Sequence, residues 1–493
     1  MSEAHSQSVP DDAAAPSPRE WPRPGSEPDI SARLDRLPGA PMLWRFVALL
    51  SFGAFFEIYD IGLTAPLSLG LARARIFQTG AGGFLGMADQ ATFVAATFAG
   101  LWLGTLAFSS FADRLGRRPV FTWALVWYSV ATIVMGLQST ALSLDFWRFV
   151  ASLGVGMELV AIDCYLAELA PKAIRGRAFT LSTAIQFLSA PVGAVLALLL
   201  IPHAFHGVQG WRWLCFFPGL GALGVWWVRR GIPESPRWLA AHGRETDADR
   251  IVGRIEARVA AETPLPLPSP SAMAERAPMV RPTRFADLWS APLRGRTLTM
   301  IVFHLFQTIG YFGFSAWLPT LLVAKGVTVT KTLSYGAAIA VAMPLAPLLF
   351  SLFADQLERK WQIAAGAIMV AGFGLGYASL TVMSAPLAFI GLGLAITVGN
   401  SLMSYAFHTY QSEIFPTDVR ARAVGFVYSF SRLSALLSGY IIGFTLLKAG
   451  PTGVFVLISA AMLIVSATIA LFGPATRGRS IEEISPGTAA SVP

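Results

Sequence analysis

Runs of about twenty apolar residues recur along this chain, and twenty residues of helix is the length that crosses a ~30 Å hydrocarbon core. A backbone inside lipid finds no water to hydrogen-bond, so it must form helices or a closed barrel. Uninterrupted runs of this length, without strand-like alternation, select helices. They lie near 44–66, 88–110, 119–138, 143–168, 179–202 and 211–229, and again near 298–322, 333–354, 362–383, 386–410, 422–447 and 453–473. The expected fold class is an all-α integral membrane protein with about twelve transmembrane helices in two six-helix bundles. Composition agrees, since 54% hydrophobic and 13% charged residues leave too little charge to coat a soluble surface.

The polar stretches divide the chain. Residues 1–42, rich in Pro, Ser, Ala and Asp, have no apolar core of a signal peptide and are expected to be a disordered cytoplasmic tail. Residues 43–230 form the first six-helix bundle and 231–297 a cytoplasmic linker with some amphipathic helix. Residues 298–474 form the second bundle and 475–493 a second tail. Arg114, Arg117, Arg118, Lys172, Arg175, Arg177, Arg359, Lys360, Arg420 and Arg422 fall on one side if the segments alternate, together with the linker. This places both termini in the cytoplasm of a cell membrane protein. The net charge of +8 therefore reads as membrane orientation and not as nucleic-acid binding. Cys164 and Cys215 lie in apolar stretches without metal-ligand spacing, so neither a disulfide framework nor a metal site is expected.

Two motifs repeat. Ser109-Ser-Phe-Ala-Asp113-Arg-Leu-Gly-Arg117-Arg118 returns as Ser351-Leu-Phe-Ala-Asp355-Gln-Leu-Glu-Arg359-Lys360, at an offset of 242 (351 − 109). Tyr165-Leu-Ala-Glu168-Leu-Ala-Pro171 and Arg175-Gly-Arg177 return as Tyr410-Gln-Ser-Glu413-Ile-Phe-Pro416 and Arg420-Ala-Arg422, at an offset of 245 (410 − 165). Positive loops alone explain the arginines but not the paired acids, the prolines or their order. The repeat predicts two equivalent halves rocking about a central site. It also predicts a gate of helix-end ion pairs drawn from Asp113, Arg117, Glu168, Arg175, Asp355, Arg359, Glu413 and Arg420.

These residues resemble the major facilitator superfamily, specifically its sugar-porter-like branch. Asp113-Arg-Leu-Gly116-Arg117-Arg118 is similar to the loop after helix two, with Ser109 where that family usually has glycine. Arg148-Phe-Val-Ala-Ser-Leu-Gly154-Val-Gly156 resembles the helix-four signature, and Pro233-Glu234-Ser235-Pro236-Arg237-Trp238-Leu239 the pattern after helix six. Gly473-Pro474-Ala475-Thr476-Arg477-Gly478-Arg479 resembles the pattern after helix twelve, with Ala475 in place of glutamate. Helix seven keeps Gln307 of the hexose-porter pattern but not its asparagine. Tyr311-Phe-Gly-Phe-Ser-Ala-Trp317-Leu-Pro319 looks more like metabolite:proton symporters and organic-ion transporters. Sugar-porter-like symporters are similar in using a helix-one acid with the helix-four arginine for proton coupling.

Ionisable residues inside a span are costly and mark function. Glu57 and Asp60 stand three positions apart on helix one, roughly 20–24 Å from the cytoplasmic edge, and Arg148 on helix four lies about 8 Å below the outer edge of a ~30 Å core. At one depth, either acid can pair with Arg148, and these three are the expected proton-coupling groups. Arg432 sits roughly 15 Å deep on helix eleven. Its guanidinium can hold a substrate carboxylate through two parallel bonds, or it can pair structurally with an acid such as Glu158. Gln186, Gln307, Tyr311 and Asn400 complete the candidate substrate site, although polar residues also join helices. His304 and His408 are lone histidines without ligand spacing.

The expected function is uptake of a small organic metabolite, more an organic acid than a sugar, by a monomeric, non-enzymatic transporter. The proton gradient supplies the energy and no cofactor is needed. A sugar or polyol porter, an uncoupled facilitator or an exporter on the same fold is the alternative, and a transporter-like sensor is a further one.

Overall fold

The computed structural model describes residues 30–78, 88–219, 224, 231–263, 266–269, 285–351, 357–381, 384–416 and 419–476, except the side chains at 107–114, 159–161, 163, 241, 292, 347, 351 and 421. Helix α1 (Ile30–Asp35) precedes the first span. The first half then comprises α2 (Pro41–Gly62), α3 (Thr64–Arg73), α4 (Asp89–Leu115), α5 (Arg117–Gly136), α6 (Ala141–Leu169), α7 (Arg175–Phe187), α8 (Ser189–Leu200) and α9 (Gly210–Phe216). The linker carries α10 (Pro236–Ala241), α11 (Glu245–Glu262) and a short 3-10 turn at Phe285–Trp289. The second half comprises α12 (Ala291–Ala324), α13 (Val329–Ala340), α14 (Ala342–Ser351), α15 (Arg359–Ser379), α16 (Pro386–Glu413) and α17 (Arg420–Phe472).

Among the described residues eight helical stretches are long and apolar enough to cross a membrane. Helices α4 and α6, at 27 and 29 residues, have the length as well. The last expected pair is continuous through α17 but breaks at Gly450, whose φ of 65° lies in the left-handed region open to glycine. The sixth segment, near 211–229, lies outside the described residues at 220–223 and 225–229.

Several spans are bent where proline demands it. Helix α2 yields to α3 at Leu63, α7 to α8 at Leu188 and α13 to α14 at Val341. In each case a proline follows three positions later, at Pro66, Pro191 and Pro344. Proline lacks the amide hydrogen for the carbonyl one turn back and its ring crowds that carbonyl. Elsewhere glycine lets backbones touch: a Cβ on Gly104 would lie 2.3 Å from the Leu153 carbonyl, and one on Gly156 2.4 Å from that of Leu101. Helices α4 and α6 therefore cross at backbone contact, the usual way to pack helices in lipid. Helix α17 packs on α12 within its own half and on α4 in the other, joining the two.

Two expectations need correction. The tail does not lack structure up to residue 42, because α1 is helical and docks on α11. Arg33 and Arg36 both bond Glu256, at 2.7 Å each for the closest contacts, and Arg33 also pairs with Asp249. The linker ends before residue 297, since α12 starts at Ala291. The loop after α8 holds a two-residue hairpin, Ala204–Phe205 with Val208–Gln209, turned by His206 and Gly207, both with positive φ. The amphipathic linker helix is α11, which buries Ala248, Val252, Ile255 and Val259 at helical spacing.

Candidate functional site

The N-terminal half closes around one ion pair. Asp60, near the end of α2, and Arg148, in the second turn of α6, meet at 2.9 Å with neither side chain exposed to solvent. Arg148 spends its other donors locally: Nη2 donates to the Asp60 main-chain oxygen at 2.8 Å and to Thr64 at 3.0 Å, and Nε donates to Thr97 at 3.0 Å. Thr132 donates to the second Asp60 oxygen at 2.7 Å. Five helices, α2 to α6, thus converge on one charge pair. Burying a pair this dry is costly unless the remaining donors and lone pairs are satisfied, and here hydroxyls and a carbonyl satisfy them. Glu57, one turn earlier, is buried but stands outside that pair.

Glu158 is buried as well, and neither of its oxygens has a hydrogen-bond partner among the described residues. It faces Gly53 on α2, whose absent Cβ would lie 3.3 Å from it. The buried Tyr128 hydroxyl is likewise unpartnered among the described residues. At 1.5 Å per residue Gly53 is about 10 Å from Asp60 toward the linker end, so Asp60 and Glu57 on α2 and Glu158 on α6, opposite Gly53, form a descending series.

The second half presents a different arginine. Half-buried Arg432 lies 5.2 Å over the ring of Tyr428, one helical turn away, with its Nη2 3.5 Å from the phenol. No acid pairs with Arg432 among the described residues, and the suggested partner Glu158 is elsewhere. The rings of His304 and His408 contact Tyr428 at 5.3 and 6.1 Å, and His304 bonds Gln411 at 3.2 Å. Of the expected substrate residues, Tyr311 packs edge-on against Phe312, with ring centroids 5.0 Å apart. Gln307 and Tyr311 share a face of α12 with His304. Among the described residues Gln307 and Gln186 bond only neighbours on their own helices, and the buried Asn400 oxygen is unpartnered. In sequence the histidines read only as lone residues without ligand spacing, and Tyr428 was not singled out. Tyr428 is legible as the residue one turn before Arg432, whereas His304 and His408 come from separate helices.

The two halves touch through aromatic rings. Phe98 follows Thr97, Phe312 follows Tyr311, and their centroids are 4.3 Å apart across the halves. Gln90 joins the halves near the other end of α4, through Thr320 at 2.7 Å and Ala316 at 3.4 Å.

At the linker end the internal repeat reappears as geometry. Arg117 bonds Glu168 at 3.1 Å and Arg359 bonds Glu413 at 2.8 Å. Arg175 donates to the Ala170 carbonyl at 3.2 Å, and Arg420 to that of Phe415 at 3.3 Å. Tyr165 donates to Pro233, and Tyr410 to Pro474. These described pairs form within each half. Arg175 also pairs with Asp35 beside α1 at 2.9 Å. The Asp113 and Asp355 side chains lie outside the described residues.

One departure from symmetry is reciprocal. In the first half Glu234 accepts the amides of Arg117 and Arg118 at 3.0 and 3.2 Å, across Gly116 with φ 100°. The second half has Ala475 where Glu234 would recur, and Glu358 where Gly116 would. Glu358 accepts the Thr476 amide at 2.8 Å. The acid has moved to the opposite side of the same contact.

Two six-helix halves about buried charge, with repeated contacts at one end, define a membrane transporter of the major facilitator fold and not an enzyme. Residues 46–487 match the family model described as "Sugar (and other) transporter", and the chain belongs to that family. It is 29% identical over 454 residues to the putative metabolite transport protein YyaJ of Bacillus subtilis (strain 168), covering 91% of this chain and 96% of the relative. It is 25% identical over 463 residues to the niacin transporter NiaP of Acinetobacter baylyi (strain ATCC 33305 / BD413 / ADP1), covering 92% and 99%. The partially occluded inward-open structure of the xylose transporter XylE from E. coli superposes with a TM-score of 0.71 at 16% identity, over 90% of this chain and all of that one.

Proposed function

We propose that the protein takes up a small organic carboxylate together with protons, by alternating access across the cytoplasmic membrane. The observation that carries this reading is the contrast between two arginines: Asp60 neutralises Arg148, while no described acid neutralises Arg432. A guanidinium at mid-membrane depth that lacks an anion is suited to receive one from the substrate. Tyr428, Tyr311 and the two histidines would flank the substrate's ring or chain. Niacin, named for the Acinetobacter relative, is an aromatic carboxylate of this class.

A proton reaching Asp60 would release Arg148 and free the ends of α2 and α6 to move. Glu57 and then Glu158 are the next carboxylates toward the linker end. The contacts at Gln90 hold one end of the halves together while the opposite end, with its intra-half ion pairs, opens. The linker, both termini and the gate residues would face the cytoplasm, as the arginine distribution requires.

The test uses purified protein with a panel of organic acids and sugars. Nicotinate or a related acid should raise the melting temperature, and Arg432→Ala should abolish that shift while the ligand-free melting temperature stays close to wild type. A sugar that stabilises both forms equally would overturn the substrate class. Uptake into proteoliposomes should collapse when the proton gradient is dissipated, and uptake that persists would overturn the coupling.

A further inference from the structure

Two adjoining recesses lie on the flank of the first half, away from the central charges. A cavity of about 350 Å³ opens between α11 and the start of α5, and its lining includes Arg118, Arg244, Arg250 and Arg254. A second recess, of about 590 Å³, runs between α5 and α6 past Val120, Trp127, Val130 and Val150. Leu115 and Trp123 line both, so a charged chamber adjoins an apolar groove.

We infer that this continuous site holds one anionic glycerophospholipid, with its headgroup phosphate among the arginines and an acyl chain in the groove. Charge is the first argument. Four arginines face two carboxylates in the lining, Asp247 and Glu234, which leaves an excess of two positive charges. Glu234 is already committed to three backbone amides, those of Arg117, Arg118 and Ser235. Asp247 sits between Arg244 at 2.8 Å and Arg250 at 3.3 Å, and Arg254 has no ion pair among the described residues. Arg250 and Arg254 are four positions apart, so they project from one face of α11.

Length is the second argument. From Val120 to Ala131 the groove follows α5 for about 16 Å at 1.5 Å per residue, close to the depth of one leaflet of a ~30 Å core. The groove ends where a single acyl chain would end.

Shape is the third. Trp123 is 69% exposed at the junction, the level at which indoles meet headgroups. Trp127 is pinned against α6 by its bond to the Val150 carbonyl at 2.8 Å. It can lie there because residue 154 is glycine, since a Cβ at that position would come within 2.5 Å of the indole. Basic recesses beside membrane helices on the positive side are suited to anionic headgroups. A lipid seated here would tie the linker helix to α5 without touching the transport path.

The experiment uses the full chain, delipidated in detergent, with phosphatidylglycerol and phosphatidylcholine of identical acyl chains carrying bromine. Phosphatidylglycerol should bind at least tenfold more tightly by native mass spectrometry and should quench tryptophan fluorescence. The variant Arg250→Ala/Arg254→Ala should lose roughly thirtyfold in affinity for it, with the lipid-free melting temperature unchanged. Trp123→Phe/Trp127→Phe should remove most of the specific quenching. Equal affinity for both lipids, an arginine variant that binds like wild type, or inorganic phosphate competing as well as the lipid would each overturn the assignment. So would a second protein copy occupying the groove in cross-linking from residue 123.

Discussion

Asp60→Asn keeps the size and most hydrogen bonds of its side chain while removing one charge from the buried pair. At the observed 2.9 Å, two unit charges attract by about 6 kcal/mol at an effective dielectric of about 20. Much of that attraction only offsets the cost of drying both ions. The variant loses the attraction and keeps Arg148 buried and charged, with Thr64, Thr97 and a main-chain oxygen still bound to it. The expected loss is about 3–5 kcal/mol. Adding Arg148→Met removes the stranded charge, and the double variant should regain most of the stability. Denaturant unfolding in detergent measures all three differences as a double-mutant cycle. In proteoliposomes the double variant should still exchange substrate across the membrane but should not concentrate it under a pH gradient. If Asp60→Asn alone is as stable as wild type, or if either variant still concentrates substrate, the argument from the buried pair is wrong.

Three further outcomes follow from packing and charge. Gly156→Ala places a Cβ 2.4 Å from the Leu101 carbonyl and should cost about 1–3 kcal/mol; Gly176→Ala, with nothing within 4 Å, should be neutral in the same unfolding assay. Glu358→Ala should release the chain after α17, read as faster proteolysis near Thr476, and Glu358→Gly with Ala475→Glu should restore protection. Burial raises the Glu256 carboxyl, but bonds from Arg33 and Arg36 outweigh it, so the net shift is downward. A lowered folded value stabilises above the unfolded pKa of about 4.3 and is lost as pH falls through the folded one. Protection factors of the α11 amides, corrected for the intrinsic pH dependence of exchange, should therefore be level from pH 7 to 5 and should fall only below about pH 4; a loss of protection between pH 7 and 5 would contradict the clamp.

The spans and their repetition were legible because lipid imposes a length on helices and the loops repeat in acid, arginine and proline. The depth arithmetic brought Arg148 level with both helix-one acids but left open which one it meets. Depth fixes height along a helix and not direction around it, and Glu57 and Asp60 share nearly one face. The threonines that complete the pair carry no mark in the sequence, since threonine is common in membrane helices. The breaks at Leu63, Leu188 and Val341 were readable from the prolines three positions on. Helix α1 was hidden by its surroundings: six residues in a polar, proline-rich stretch hold their shape through Glu256, which is more than two hundred positions away. Tyr428 was within reach of local reasoning, but the approach of His304 and His408 is a product of helix packing alone.

The exchange of acid between Glu234 and Glu358 means that the halves preserve a bond and not a residue. An acid on both sides of the contact would bring two carboxylates together, and an acid on neither would leave the amides without this acceptor. Transplanting a single loop from one half to the other should produce one of those weakened arrangements. Chimaeras will hold together only when the segment before α15 and the segment after α17 travel as a pair.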